Sequence, residues 1–140
     1  MAVLSLLESY FPDTPVYVAL GNHESMPVNM FPSASAQGTD VSVEWLYDGI
    51  ANMSWANSLT QEERDLFRQN GFYSTLVTEG LRLISLNTNF CQGENFYLFL
   101  DFSDPADMLA WLVQELFAAE QAGNTQNGML CLVVTILFAR

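Results

Sequence analysis

The sequence predicts an α/β fold in one domain. Segments with helical spacing of apolar residues alternate with short runs of β-branched and aromatic residues, and proline or glycine separates most of them. Half of the 140 residues are hydrophobic and 14% are charged, which is enough apolar side chain for a core and excludes a disordered segment. The sequence has no internal repeat and no long linker, so we expect the elements to pack as one unit.

The first half of the chain predicts a helix, a buried strand and a second helix. Prolines end the first helix, because proline lacks the amide hydrogen and forces the preceding residue to be extended. The strand is apolar throughout, which is typical of a strand buried on both faces. Ser42 is able to cap the second helix. The predicted elements are a helix from Leu4 to Phe11, a strand from Val16 to Leu20, and a helix with the apolar stripe Leu46, Ile50 and Met53.

The second half predicts a helix, a hairpin, a third strand, a long helix and a final strand. Thr60 and Glu63 have the spacing of a capping box, and Gly71 can take the left-handed conformation that ends a helix. Asp104 and Pro105 are typical of a helix start. The predicted elements are a helix to Asn70, strands Phe72 to Val77, Leu81 to Asn87 and Phe96 to Phe102, a helix to Gln121 with the buried stripe Met108, Leu109, Leu112 and Leu116, and a strand from Met129 to Phe138.

Composition and charge exclude several classes of function. Four basic and sixteen acidic side chains give a net charge of −12, so no basic surface is expected for nucleic acid or anionic lipid. The longest apolar run, from Met129 to Phe138, is shorter than the roughly 20 residues of a membrane-spanning helix. The first eight residues lack the features of a signal peptide. We therefore expect no nucleic-acid partner, no transmembrane segment and no signal peptide in this chain.

The residues most able to carry chemistry follow the predicted buried strand. The segment Gly21-Asn22-His23-Glu24 lies where ligands usually bind in α/β sheets, because the loops after the strands converge on one crevice. The oxygen of Asn22 can coordinate a divalent cation, and His23 can donate a proton near neutral pH. A polar turn in which His23 and Glu24 only bond each other is an equally acceptable interpretation of these four residues.

The run from Pro15 to Pro32 resembles the acid sphingomyelinases of the calcineurin-like metallophosphoesterase superfamily, whose GNHES-x-PVN-x-FP pattern it contains. The resemblance implies that residues 1–123 are part of a catalytic domain with a four-layer α/β/β/α sandwich, truncated at both ends, and that residues 124–140 are a divergent hydrophobic tail. The further matching segments are Gly71 to Tyr73, Leu81 to Cys91, Glu94 to Phe96, Asp104 to Ala106, and Trp111 to Val113.

The resemblance implies a phosphoric diester hydrolase with two zinc ions that converts sphingomyelin to ceramide and phosphocholine. In that site Asn22 would be a zinc ligand and His23 the acid that protonates the leaving group. Cys91 matches a family cysteine that is disulfide-bonded to a residue farther downstream. Asn52 lies in an Asn-x-Ser glycosylation sequence, in keeping with the lysosomal or secreted location of the family.

The sequence lacks the other ligands of the family's metal site. An Asp-x-His pair, a Gly-Asp motif, a strand histidine and a Gly-His-x-His pair are all missing, and His23 is the single histidine. We therefore expect one matching zinc ligand and no activity from this chain alone. Two alternatives stay open: a non-catalytic isoform that binds or interferes with a full-length relative, and a sphingomyelinase-like phosphodiesterase that acts on nucleotides. Cys91 is expected as a free buried thiol, with a bridge to Cys131 as the alternative.

Overall fold

The structure is a computed structural model that describes residues 2–121 and, as backbone, residues 129–134. In those residues four α-helices, a three-stranded sheet and five short 3₁₀ helices form a mixed α/β fold, as the sequence predicts. None of the described helices combines the length and the hydropathy needed to cross a membrane. The bounds are α1 Ala2–Tyr10, α2 Glu44–Ala51, α3 Gln61–Asn70, β1 Tyr73–Thr78, β2 Leu81–Leu86, α4 Met108–Gln121 and β3 Met129–Val134.

The sheet has the order β1-β2-β3. Strands β1 and β2 form the predicted antiparallel hairpin, with Tyr73 opposite Ser85 and with Gly80 in the turn at φ 80°. Strand β3 pairs with β2 in parallel, beginning with Met129 opposite Leu81. The final strand is therefore confirmed over residues 129–134, and the rest of its predicted span, residues 135–138, lies outside the described residues.

Side chains cap α3 and α4 where the sequence predicts them, but the predicted Ser42 cap of α2 is wrong, because Val43 is the N-cap and it has no side-chain cap bond. Thr60 Oγ1 accepts a hydrogen bond from the Glu63 amide at 3.3 Å, and Glu63 Oε2 accepts one from the Thr60 amide at 2.8 Å, which completes the capping box of α3. The Asp104 carboxylate accepts bonds of 2.8 and 2.9 Å from the first amides of α4. Ser42 lies one residue before the N-cap of α2, and its Oγ accepts from the Glu44 amide at 3.1 Å.

Four buried aromatic rings connect α2, α3 and β1. Trp55 lies 5.3 Å from Phe67 and 5.4 Å from Tyr73 between ring centroids, and Phe67 lies 5.9 Å from Tyr73 and 6.2 Å from Tyr47. Three of these contacts are edge-to-face, the arrangement that the quadrupoles of aromatic rings favour. The rings therefore form the centre of the core, against which the loop before α2 and the hairpin pack.

The predicted strand from Val16 to Leu20 is wrong: the segment has no regular secondary structure and pairs with no strand among the described residues. Side chains of the sheet satisfy its backbone instead. The Tyr73 hydroxyl accepts from the Val18 amide at 3.1 Å and donates to the Val18 carbonyl at 3.0 Å, and Ser85 Oγ donates to the same carbonyl at 3.1 Å. The apolar pattern predicted burial on both faces, but only Leu20 is fully buried and residues 16–19 are half-buried, and burial alone does not supply a neighbouring strand.

The predicted strand from Phe96 to Phe102 is also wrong. Residues Phe96–Phe99 form a 3₁₀ helix, which the Asn95 side chain starts by accepting a bond from the Tyr97 amide. Phe96, Phe99, Leu100 and Phe102 are exposed, whereas Tyr97 and Leu98 are half-buried, so most apolar residues of this run face away from the core. A short apolar run does not distinguish a strand from a helical turn, since each can be bounded by polar residues.

Helix α4 is confirmed, but its buried stripe was predicted in part wrongly. Leu109 and Leu116 are exposed at 47% and 38%. The inward face instead includes Glu115, whose carboxylate pairs with the Arg82 guanidinium of β2 at 3.2 Å. The residues of this inward face follow the spacing i, i+3, i+4, i+7 and i+11, and they are Met108, Trp111, Leu112, Glu115 and Ala119.

Gly71 is required at the end of α3 both by its conformation and by lack of space. Its φ is 72°, in the left-handed region that disfavours side chains. A Cβ atom there would lie 2.5 Å from Leu20 Cδ1, 2.8 Å from Tyr47 Cε1 and 2.9 Å from Asn87 Nδ2. Glycine therefore allows the end of α3 to lie close to Leu20, just before the candidate site, and to Asn87, just after β2.

We predict that Gly71→Ala destabilises the protein by about 2–4 kcal/mol, because left-handed strain and overpacking add. Gly38→Ala is the matched control, since Gly38 has the same φ of 72° but no atom within 4 Å of a Cβ. It should cost only about 1–2 kcal/mol. Urea denaturation measures both variants, and equal losses of stability would show that the close approach at Gly71 contributes nothing.

A second prediction concerns the Tyr73 hydroxyl. Tyr73→Phe leaves the Val18 amide without its acceptor, so it should destabilise the protein by about 1–3 kcal/mol and speed hydrogen exchange at Val18. Tyr10→Phe is the control, because Tyr10 is 73% exposed. Unchanged exchange at Val18 in the Tyr73 variant would contradict the role of this hydroxyl.

Candidate functional site

The candidate site begins where the chain leaves the core after Leu20. Asn22 is partly exposed, and His23 and Glu24 are exposed. Among the described residues no hydrogen bond joins His23 to Glu24, so the interpretation of these four residues as a turn held by that bond is wrong. The φ of Gly21 is not positive. The sharp exit from the strand segment therefore does not depend on a left-handed glycine here.

The loop from Asn22 to Asn29 closes on itself. The Asn29 amide donates to the Asn22 carbonyl at 2.9 Å, and Asn22 Nδ2 donates to Asn29 Oδ1 at 2.7 Å. Within the loop Ser25, which is buried, donates from Oγ to the Pro27 carbonyl at 2.9 Å. Asn29 Nδ2 then donates to Glu94 Oε2 at 2.7 Å, which ties the loop to a segment far along the chain.

Asn95 fixes the end of this loop. It is 1% exposed, and its Nδ2 donates to the carbonyls of Phe31 at 2.8 Å and Asn89 at 3.0 Å. Its Oδ1 accepts from the amides of Phe31 and Tyr97, each at 3.3 Å. The single amide of Asn95 thus satisfies both backbone groups of the buried Phe31 as a neighbouring strand would.

Two more buried asparagines lie behind the start of the loop. Asn87 Nδ2 donates to the Tyr47 hydroxyl at 3.0 Å and to the Asn70 carbonyl at 3.1 Å. Asn89 Nδ2 donates to Asn87 Oδ1 at 2.9 Å and lies 3.5 Å from the Gly21 carbonyl. Burial raises the pKa of Tyr47 well above its usual value, so the phenol stays protonated at neutral pH.

The sequence analysis missed these buried asparagines as residues that shape the site. The available signal is the polar run Asn87-Thr88-Asn89 directly after a strand, at an edge where functional loops gather. Their role could not be recognised from the sequence, because the partners of Asn95 lie up to 64 residues away. Asn89 Oδ1 is buried and has no hydrogen-bond partner in the part of the chain that the structure describes.

A complete metal centre is not present in the described residues. No group of three His, Cys, Asp or Glu side chains that could hold a metal ion occurs in that part of the chain. Asn22 Oδ1 makes no hydrogen bond with those residues, so its lone pairs are available to a cation. Zinc takes four ligands in most structural sites and three protein ligands in catalytic ones. Asn22 could therefore supply one ligand, but the described residues do not by themselves supply enough ligands for a zinc ion.

The structure also locates the predicted disulfide and glycosylation residues. Cys91 has a free thiol, as predicted, but it is exposed and not buried, because it ends a surface 3₁₀ turn, Thr88–Cys91. The side chain of Cys131, the partner in the alternative bridge, lies outside the described residues. Asn52 is exposed at the C-cap of α2 and accepts from an Arg68 guanidinium nitrogen at 2.9 Å. Glycosylation of Asn52 stays a prediction, to which its exposure is favourable.

Comparison with known proteins finds relatives among phosphodiesterases. The chain is 47% identical over 122 residues to the sphingomyelin phosphodiesterase of Homo sapiens, a match that covers 87% of this chain and 19% of the relative. It is 44% identical over 121 residues to sphingomyelin phosphodiesterase 1 of Caenorhabditis elegans, covering 85% and 21%. It is 36% identical over 117 residues to the cyclic GMP-AMP phosphodiesterase of Homo sapiens, covering 82% and 24%.

These matches cover most of this chain but little of each relative. The chain spans about a fifth of the length of the curated relatives it matches. No protein-family model matches it.

We predict that Asn95→Ala destabilises the protein by about 2–4 kcal/mol, because it leaves the buried amide and carbonyl of Phe31 unpaired. Asn57→Ala, at an exposed position, is the matched control and should stay within about 0.5 kcal/mol of the parent chain. Urea denaturation measures both. A small loss in the Asn95 variant would mean that water replaces the lost bonds and that Asn95 does not hold the loop.

Proposed function

The chain is homologous over most of its length to sphingomyelin phosphodiesterases, and from that premise we propose that it is a segment of a catalytic domain that hydrolyses the phosphodiester of sphingomyelin. The observation that carries the proposal is the loop after Leu20. In this loop Asn22 Oδ1 has no hydrogen-bond partner among the described residues, and the next residue, His23, is exposed. Buried asparagines such as Asn95 hold the loop in place.

In this proposal His23 is the catalytic acid. Its imidazolium gives a proton to the alkoxide oxygen of ceramide as the phosphorus–oxygen bond breaks, so the leaving group departs as a neutral alcohol. His23 is exposed at the tip of the closed loop, where a substrate can reach it. The neighbouring Glu24 folds back over Gly21 and so leaves the imidazole accessible.

Asn22 is proposed as one ligand of a two-zinc site. Two zinc ions, when bound in a complete site, activate a water and neutralise the charge of the phosphate. Since the described residues supply one such ligand, the proposal requires the missing Asp-x-His, Gly-Asp, histidine and Gly-His-x-His motifs to come from a longer polypeptide. In that polypeptide we further propose the four-layer sandwich, a lysosomal or secreted location, a glycan on Asn52 and a disulfide partner for Cys91.

A nucleotide phosphodiester is the second candidate substrate. The similarity to the cyclic GMP-AMP phosphodiesterase favours it, because that relative matches nearly the same stretch of this chain. The higher identity to sphingomyelin phosphodiesterases, 47% against 36%, favours the lipid. The two substrates share a phosphodiester and differ in the group that His23 would protonate.

The proposal predicts that the purified 140-residue chain releases no phosphocholine from sphingomyelin, with or without added zinc, since one ligand does not hold a metal. A longer polypeptide that contains the missing motifs in frame should release it in a zinc-dependent reaction. Turnover by the short chain would contradict the need for those motifs. A longer, zinc-loaded polypeptide that hydrolyses cyclic GMP-AMP and not sphingomyelin would replace the lipid with the nucleotide.

In the longer polypeptide, His23→Gln should lower kcat about 10²- to 10⁴-fold, because the leaving group then departs without general acid catalysis. Its zinc content should stay that of the parent protein, since His23 is not proposed as a ligand. Asn22→Ala should lower the zinc content itself. Asn57→Ala is the control for both measurements. Full activity in the His23 variant would show that another group protonates the leaving alkoxide.

A further inference from the structure

We infer that Asn29 and Glu94 are positioning residues for Asn22: together they orient its side-chain amide so that Oδ1 is left free to bind a cation. The inference deepens the proposed function and rests on it for the identity of that cation. The orientation of the Asn22 amide itself follows from the hydrogen bonds and does not depend on any metal.

The three side chains form a chain of two short hydrogen bonds. Asn22 Nδ2 donates to Asn29 Oδ1 at 2.7 Å, and Asn29 Nδ2 donates to Glu94 Oε2 at 2.7 Å. Both bonds are at the short end of the usual range for N–H···O contacts. The second is charge-assisted if Glu94 is ionised, and such bonds are stronger than those between neutral groups.

The carboxylate of Glu94 fixes the direction of both bonds. An ionised carboxylate only accepts hydrogen bonds, whereas an amide can turn either its oxygen or its nitrogen toward a partner. Asn29 must therefore present its nitrogen to Glu94, which leaves its oxygen for Asn22. Asn22 must in turn present its nitrogen to Asn29. Without the carboxylate, the Asn29 amide could turn over and donate to Asn22 Oδ1, which would occupy the oxygen proposed as a ligand.

The backbone of Asn29 makes this geometry specific to asparagine. Its φ is 68°, in the left-handed region, which asparagine adopts more readily than most residues. Its amide donates to the Asn22 carbonyl at 2.9 Å, so the two residues are joined by the backbone and by the side chains. Glycine fits the backbone but has no side-chain amide, and most other residues fit neither requirement.

Glu94 is also held in place. Its amide donates to Gln92 Oε1 at 3.1 Å, and its neighbour Asn95 is buried and bonded to both backbone groups of Phe31. Glu94 accepts the last hydrogen bond of the chain, and the next residue, Asn95, holds the end of the loop at Phe31. Partners of this kind, one step removed from a metal, change metal affinity about 10- to 100-fold when they are removed.

The first experiment measures the Asn22 side-chain amide by ¹H–¹⁵N NMR in the 140-residue chain. Asn29→Gly keeps the left-handed backbone and removes both side-chain bonds, so we expect the downfield shift of the hydrogen-bonded Asn22 amide proton to disappear. Glu94→Ala should shift the Asn29 and Asn22 amides together, and Glu94→Gln, whose amide can turn either its oxygen or its nitrogen toward Asn29, should restore only part of the shift. Glu120→Ala, at an exposed position, is the matched control.

Unchanged Asn22 amide resonances in both Asn29→Gly and Glu94→Ala, with an otherwise folded spectrum, would overturn the inference. Two independent variants are used because they change the loop at different residues, and the backbone resonances of residues 73–86 report on the fold.

The second experiment measures zinc affinity by chelator competition in the longer, active polypeptide. Asn29→Gly should weaken zinc binding about 10- to 100-fold while kcat at saturating zinc stays close to that of the parent protein. A loss of kcat at saturating zinc with unchanged zinc affinity would overturn the positioning role. If the longer polypeptide neither binds zinc nor hydrolyses a phosphodiester, the proposed function fails while the NMR result stands. If only the NMR result is negative, the positioning role fails and the proposed function stands.

Discussion

The structure depends on polar side chains that bond backbone groups which no neighbouring strand pairs. The segment from Val16 to Phe31 enters and leaves the core, yet it pairs with no strand in the described part of the chain. A buried backbone group without a partner costs about 1–3 kcal/mol, so these groups must be bonded to something else. The Tyr73 hydroxyl serves the Val18 backbone and the Asn95 amide serves the Phe31 backbone. The loop between them is thereby fixed at both ends.

This solution requires very close packing around the asparagines. Asn87 reaches both α2, through the Tyr47 hydroxyl, and the end of α3, through a carbonyl. Only the absence of a side chain at Gly71 leaves room for that approach, since a Cβ there would meet Asn87 at 2.9 Å. The helix end, the buried polar cluster and the loop therefore form one packing unit. We therefore expect a change at Gly71 or Asn87 to alter the start of the loop through Leu20 and Asn89.

Features set by neighbours in the sequence could be predicted, and features set by distant partners could not. The capping box of α3, its glycine end and the hairpin each depend on residues within a few positions, and all three were predicted correctly. The strand assignment of Val16 to Leu20 was wrong because strand pairing depends on a partner elsewhere. The face of α4 was misjudged because Glu115, which lies inward, is charged and its partner Arg82 is on another element. For the site, Asn22 and His23 were chosen from their place after an apolar run and then by resemblance, whereas Asn29, Glu94 and Asn95 act through contacts over 64 or 65 residues.

A rigid loop with a single ligand is consistent with a metal site that several segments build together. A side chain that becomes ordered only when the metal binds loses conformational entropy, which weakens binding. A segment that supplies a single ligand therefore binds better if that ligand is oriented before the metal binds. In Asn22 the orientation comes from hydrogen bonds within the segment and not from neighbouring ligands. The orientation of the Asn22 amide can therefore be kept without any further ligand. Local order at Asn22 is accordingly a property of its hydrogen bonds, and it agrees with the proposed role of Asn22 as one ligand of a larger site.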